Sequence, residues 1–306
     1  MLGNDVVDLL DVDARPETFH RRFDARVFTP GERERIAAAA GADGSATFDG
    51  SDRPDTAAAH ALRWAHWAAK EAAYKLLRQR DPAFVFSPIR LEARFDAPAL
   101  GGPLGSTRHG RLMILPGPVP GEASARGVAS SAPIPDGPAG HPPAIELASF
   151  ETCDFVHVLA LPAGARWQGV VTAIEPLAGP LFAAGESPSS AVRRLALGGI
   201  AEALGVERAR IAIGRQGRIP TVELDGERTP IALSLSHHGR YVAFAMAQPE
   251  RGLRLVRRGP HGRTTVSDDP AQDGDGRSET DDGHVAQAAG AVGCPARRAN
   301  TERKTG

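Results

Sequence analysis

Trp67-Ala68-Ala69-Lys70-Glu71-Ala72-Ala73-Tyr74-Lys75 is the stretch on which the fold turns. It lies inside a run, Thr56 to Arg80, that holds neither proline nor glycine and is rich in alanine, leucine and other strong helix formers. The run predicts a long helix from about Thr56 to Arg78. Asp55 or Thr56 supplies its N-cap after Pro54, and Asp81-Pro82 closes it. At helical spacing Trp67, Glu71 and Lys75 share one face, while Leu62, Ala65, Ala69, Ala72 and Leu76 line the side suited to a core. Glu71 and Lys75 then read in two ways. Either they form an exposed i,i+4 ion pair worth about 0.3 kcal/mol, or they belong to a functional face.

Lysine usage bears on that choice. Of 36 basic residues only Lys70, Lys75 and Lys304 are lysine, which leaves 33 arginines. A chain so biased would place arginine wherever positive charge alone is wanted. Yet Lys70 and Lys75 stand five residues apart around one glutamate. Lysine is a compact point charge with movable donors and arginine a rigid planar fork, so some sites distinguish them.

The 306 residues suffice for two compact units, and 42% hydrophobic with 24% charged residues is a globular composition. A net charge of −1 gives no global pull toward nucleic acid or an acidic membrane. Cys153 and Cys294 are too few and too distant for a disulfide framework, which fits a reducing compartment. The opening Met1-Leu2-Gly3-Asn4-Asp5 lacks the basic and apolar regions of a signal peptide. No apolar run approaches the ~18 residues that span a bilayer. The expectation is a cytoplasmic protein with neither nucleic acid nor membrane as a partner.

Working outward, residues 3 to 10 read as a short buried strand in which Asp5 and Asp8 bracket Val6-Val7. Such an aspartate is a cap or turn former, or a metal ligand if a second carboxylate converges on it. Thr29-Pro30-Gly31-Glu32 is a helix start with Thr29 as N-cap, Pro30 at N1 and Glu32 completing a capping box. Gly41 to Asp55 reads as a loop. Ile89 to Phe95 alternates as a half-buried strand does, with Arg111 to Leu115 as its expected partner. Residues 116–143, rich in Gly, Pro, Ala and Ser, read as a flexible insertion. Phe155 to Ala160 is a strand whose His157 is more simply a packed or solvent-facing residue than a ligand.

A second unit begins near Trp167. Strands are expected at Gln168 to Ile174, Ile211 to Ile213, Thr221 to Leu224, Ala232 to Ser236 and Tyr241 to Met246. Ser189-Ser190 caps a helix expected from about Ala191 to Leu204, ending at Gly205. Residues 251–306 have the composition of a disordered tail. Phosphate-loop, dinucleotide-fold, nucleophile-elbow and zinc spacings are all missing from the sequence.

Three stretches carry a family resemblance together. Gly3-Asn4-Asp5-Val6-Val7-Asp8 resembles the Gly-x-Asp motif of the 4'-phosphopantetheinyl transferase superfamily. Trp67 to Lys75 resembles its Trp-x-x-Lys-Glu-Ala-x-x-Lys helix, and Ser234-Leu235-Ser236-His237-His238-Gly239 resembles its Ser-x-Ser-His-x-Gly segment. The resemblance covers roughly residues 1 to 95 and 150 to 247. It implies an α+β fold, and the layout is similar to the superfamily's pseudodimeric members, built of two small sheet-plus-helix halves. Here the half with the Asp and Lys-Glu motifs (1–162) precedes the half with the Ser-His motif (163–250), an exchanged order.

The activity implied is magnesium-dependent transfer of 4'-phosphopantetheine from coenzyme A to a serine of an apo acyl or peptidyl carrier protein. Enzymes of this kind serve fatty acid or polyketide biosynthesis. Asp5 and Glu71 would hold the metal, with Glu71 and Lys75 catalytic. Lys75, Arg193, Arg194, Arg218, Ser236 and His237 would bind coenzyme A. For Arg193-Arg194 a solvated helix face is the simpler alternative. Two departures stand out. The longer members carry a second acid where this chain has Val7, and Gly217-Arg218-Ile219-Pro220 has one residue more than their Gly-Lys/Arg-Pro turn. With the whole site on one chain, a monomer is expected. The alternative is a catalytically silent module of the same fold that binds carrier proteins or coenzyme A.

Overall fold

The computed structural model describes residues 1–20, 22–41, 56–97, 99–102, 105–116, 144–178, 183 and 185–248. The described residues lie in one compact unit. Strand β1 (Gly3–Asp8) is followed by helices α1 (Phe23–Val27), α2 (Pro30–Gly41) and α3 (Ala57–Arg80). The Oγ of Thr56 caps α3 by accepting from the Ala59 N–H, and Asp81 is the C-cap, so the helix runs two residues beyond the expected end. Leu62, Ala65, Ala69, Ala72 and Leu76 are buried, as the periodicity predicts. The α2 capping box forms: the Thr29 N–H donates to Glu32 Oε2 at 2.8 Å and the Glu32 N–H to Thr29 Oγ1 at 3.3 Å.

Helix α3 lies against a six-stranded antiparallel sheet. Its order is β1, β6 (Phe155–Pro162), β5 (Ile145–Glu151), β4 (Gly105–Ile114) and β2 (Leu91–Phe95), with β3 (Ala99–Gly102) also paired to β4. The expected partnership of β2 and β4 forms. Its first strand is shorter than the alternation suggested, because Pro88 to Arg90 makes a tight helical turn. Strand β5 is an addition that the sequence reading did not anticipate. His157 is a packed residue of β6, buried beside Asn4 at 3.3 Å.

Gly3 explains how closely β1 and α3 meet. A Cβ there would stand 1.8 Å from the carbonyl oxygen of Ala72, so only glycine lets the strand touch the helix backbone.

Strand β7 (Val170–Pro176) comes next, followed by α4 (Pro188–Leu204), β8 (Ile211–Gln216), β9 (Ile219–Leu224), β10 (Glu227–Arg228), β11 (Ala232–His238) and β12 (Tyr241–Ala247). These make two three-stranded sheets, β11-β12-β7 and β10-β9-β8. Helix α4 begins earlier than expected. Its N-cap is Ser187, whose Oγ accepts from the Ser190 N–H, and Pro188 fills the first turn, where a missing N–H costs nothing. Gly205 ends it at φ 67°, as the sequence indicated. The fold class is α+β, as expected. Residues 117–143 and 249–306 lie outside the described residues. Among the described residues no helix is long and apolar enough to cross a membrane.

Strand β1 lies between β6 and β11. Its outer edge faces β11, which offers side chains in place of a backbone ladder. The N–H groups of Asn4, Val6 and Asp8 donate to Ser234 Oγ at 3.0 Å, Ser236 Oγ at 3.2 Å and His238 Nδ1 at 3.2 Å. Alternate residues of a strand point the same way, so the Ser-x-Ser-x-His spacing supplies one acceptor for each open N–H.

Candidate functional site

The seam between β1 and β11 sets the position of Asp5. Its Oδ1 accepts from Ser236 Oγ at 2.8 Å and from Lys75 Nζ at 2.7 Å. Lys75 donates also to the Asn4 carbonyl at 2.9 Å. The partner of Lys75 is therefore Asp5 and not Glu71, which removes the i,i+4 surface pair as an account of these residues.

Among the described residues Glu71, one turn before Lys75, makes no hydrogen bond or ion pair. Burial first, then the neighbouring Asp5 carboxylate, push its pKa up to about 7, and Lys75 pulls the other way. On its far side stands an aromatic wall. Phe86 packs 5.9 Å from Trp67 and 4.9 Å from Tyr74, centroid to centroid, so Glu71 lies between a polar flank and an aromatic one.

Along α3 from Glu71 opens a cavity of about 310 Å³ between α3, α4, the β8-β9 hairpin and β11. Lys75, Arg78, Arg193, Arg215 and Arg218 line it, with Tyr74, Ser234 and His237. Five cations and no carboxylate among the lining residues make it an anion site. The hairpin turns at Gly217-Arg218, with Gly217 at φ 61°, so Arg218 reaches the cavity despite the extra residue before Pro220. Burial, then Lys75, hold the His237 pKa below its usual value.

Of the residues read from sequence, Asp5, Glu71, Lys75 and Ser236 gather at the seam, and Lys75, Arg193, Arg218 and His237 line the cavity. Arg194 does not join them. It is paired with Glu186, because it sits about 100° around α4 from Arg193. Ser236 is buried and committed to Asp5 and to the Val6 N–H. Asp8 lies away from Glu71, where Arg240 grips both its oxygens at 2.7 and 2.8 Å. Arg78 and Arg215 were missed. The signal for Arg78 was its place seven residues after Glu71 on the same stripe, and Arg215 had only its proximity to the Gly217 turn.

Lys70 supports the site from behind. It is fully buried, and its ammonium donates to Glu32 Oε2 at 2.6 Å and to the carbonyls of Val27, Pro88 and Leu91 at 2.8, 2.8 and 2.6 Å. Burial lowers the Lys70 pKa and raises that of Glu32, and their direct contact opposes both shifts. A flat guanidinium does not fit a ring of four oxygens converging on one point, which accounts for lysine in a chain of arginines.

No curated protein and no solved structure matches the sequence. A family model does: that of the 4'-phosphopantetheinyl transferase superfamily matches residues 1–99, the stretch that holds β1, α3, Asp5, Glu71 and Lys75.

Proposed function

We propose that the chain transfers 4'-phosphopantetheine from coenzyme A to a serine hydroxyl of an acyl or peptidyl carrier protein. The observation that carries this reading is the Glu71 carboxylate, without a hydrogen-bond or ion-pair partner among the described residues, beside the Asp5–Lys75 pair and a cavity with five cations. A coenzyme A molecule brings three phosphate groups, and the lining arginines suit them by bidentate contact. In the reaction the serine oxygen forms a bond to the phosphorus that bears pantetheine. The bond from that phosphorus to the bridging oxygen breaks, and adenosine 3',5'-bisphosphate leaves. With a pKa near 7, Glu71 is suited to take the serine proton directly or through a water. Lys75, fixed by Asp5 and the Asn4 carbonyl, presents its charge where the phosphoryl oxygens gain negative charge.

The donor set fits magnesium. Two hard carboxylates lie close enough for one to raise the pKa of the other, and a divalent cation relieves that repulsion. Asp5 and Glu71 would hold it, and when bound it would neutralise charge on the phosphate oxygens.

Mass spectrometry of apo-carriers incubated with the chain, magnesium and coenzyme A tests the reading. One carrier should gain the phosphopantetheine group. If a broad carrier panel stays unmodified while coenzyme A binds, the chain is a binding module. Asp5, Glu71 and the cavity come from one chain in this reading, so sedimentation at micromolar concentration should give a monomer. A stable trimer would instead indicate sites shared between subunits.

A further inference from the structure

Much of the face that α3 packs on the sheet is alanine. Ala65, Ala68, Ala69, Ala72 and Ala73 are all fully buried in the core that the helix shares with the strands, and methyl groups interdigitate little with what they cover. Polar contacts fix the helix along the sheet instead, on either side of Glu71 and Lys75. Before Glu71, Lys70 donates to the Leu91 carbonyl of β2 at 2.6 Å. After Lys75, Gln79 takes hold of β1. Its Nε2 donates to the Leu2 carbonyl at 2.6 Å, and its Oε1 accepts from the Leu2 N–H at 3.1 Å. A side-chain amide thus exchanges with Leu2 the two hydrogen bonds that a paired residue on a neighbouring strand would exchange. The same Nε2 lies 3.5 Å from the Leu233 carbonyl of β11.

Two residues of strand and one turn of helix cover nearly the same length, about 6.7 Å and about 6 Å. Lys75 and Gln79, one turn apart, therefore reach the carbonyls of Asn4 and Leu2, two residues apart. Both acceptors of Lys75, the Asn4 carbonyl and Asp5 Oδ1, belong to β1. Strand β1 is itself held by its ladder to β6, so the place of the Lys75 ammonium depends on how α3 is set against that strand. We propose that Gln79 is a positioning residue for the transfer: its clamp on Leu2 sets the last turns of α3 against β1 and so holds Lys75 between Asp5 and the Asn4 carbonyl. This assignment rests on the function proposed above and extends the site one turn beyond the 67–75 stretch. Gln79 also lines the cavity, where direct contact with coenzyme A is the rival role, but its amide is already committed to Leu2.

The test compares full-length variants on an apo-carrier that the wild type loads. In Gln79→Leu, kcat should fall about tenfold, with the KM for coenzyme A and the binding of adenosine 3',5'-bisphosphate within about twofold of wild type. If Gln79 acts through Lys75, the double variant Gln79→Leu/Lys75→Arg should turn over within about twofold of Lys75→Arg alone. Gln79→Glu keeps the acceptor for the Leu2 N–H and loses the donor to its carbonyl. It replaces the leucine variant, with the same kcat criteria, should that one not fold. A lower melting temperature with wild-type kcat would make the clamp purely structural and overturn the inference while the function stands. Additive losses in the double variant, or a raised KM for coenzyme A without a fall in kcat, would overturn it too. If the wild type loads no carrier, the function fails and the inference with it.

Discussion

At the residue scale, Glu71 and Lys70 are adjacent in sequence and opposite in circumstance. Glu71 is half-buried with no partner among the described residues, and its raised pKa means the fold favours the protonated form. The sign follows. Its contribution to stability is complete below about pH 4.5 and is lost as pH rises through about 7. Glu71→Gln should therefore melt no lower than wild type at pH 8 in chelator-treated buffer, while turnover falls by about 10²-fold or more. A variant that loads a carrier at the wild-type rate would sink the role assigned to Glu71. Lys75→Arg keeps the charge but replaces a point donor bridging Asp5 and the Asn4 carbonyl, and should impair transfer with the fold intact. For Lys70 the expectation reverses. Lys70→Met strands the buried Glu32 carboxylate and three carbonyls, and should cost about 3–5 kcal/mol in chemical denaturation, or prevent folding.

At the element scale, the seam between β1 and β11 offers a sharp test. Ser234→Ala or Ser236→Ala leaves a buried N–H on β1 without its acceptor, at a cost of about 1–3 kcal/mol each. Ser236→Ala also frees Asp5 from one of its two side-chain donors, so it should lower transfer more than Ser234→Ala does at equal stability. Much of this scale was legible in the sequence. Thr56, Thr29 and Gly205 cap as local chemistry dictates, and the apolar stripe of α3 fixes its buried face. Other parts were not. The cap of α4 lay at Ser187 rather than Ser189-Ser190, because three serines in four residues all satisfy the local rule and only packing of the helix chooses among them. The division between Arg193 and Arg194 depended on the phase of α4 against β12, a tertiary fact. Glu32 read as a capping residue and is one. Its second oxygen accepts from the Ala93 N–H across 61 residues, which no local pattern encodes.

For the whole molecule, two buried histidines govern behaviour in acid. His66 and His157 are held neutral by burial, with pKa values pushed down to about 3. A depressed pKa gives stability that is complete above the unfolded value near 6.5 and is lost as pH falls toward 3. Each can cost up to about 1.4 kcal/mol per pH unit in that window. Urea midpoints of His157→Gln, which keeps a polar partner for Asn4, should fall less steeply than wild type between pH 6.5 and 4. Parallel curves would show that His157 is solvated or protonated in the folded protein.

The seam also orders events in time. The acceptors for the Asn4, Val6 and Asp8 N–H groups lie 230 residues later in the chain. At ribosomal rates of about 5–20 residues per second, roughly ten to fifty seconds separate the strand from the residues that cover its edge. For that interval a nascent chain carries an open strand edge of the kind that recruits other chains into aggregates. The centre cannot be switched on piecemeal either, because Asp5 acquires Ser236 only after nearly all the described chain has been made. Expression conditions that stall translation between β6 and β11 should therefore yield insoluble product rather than a partly active fragment.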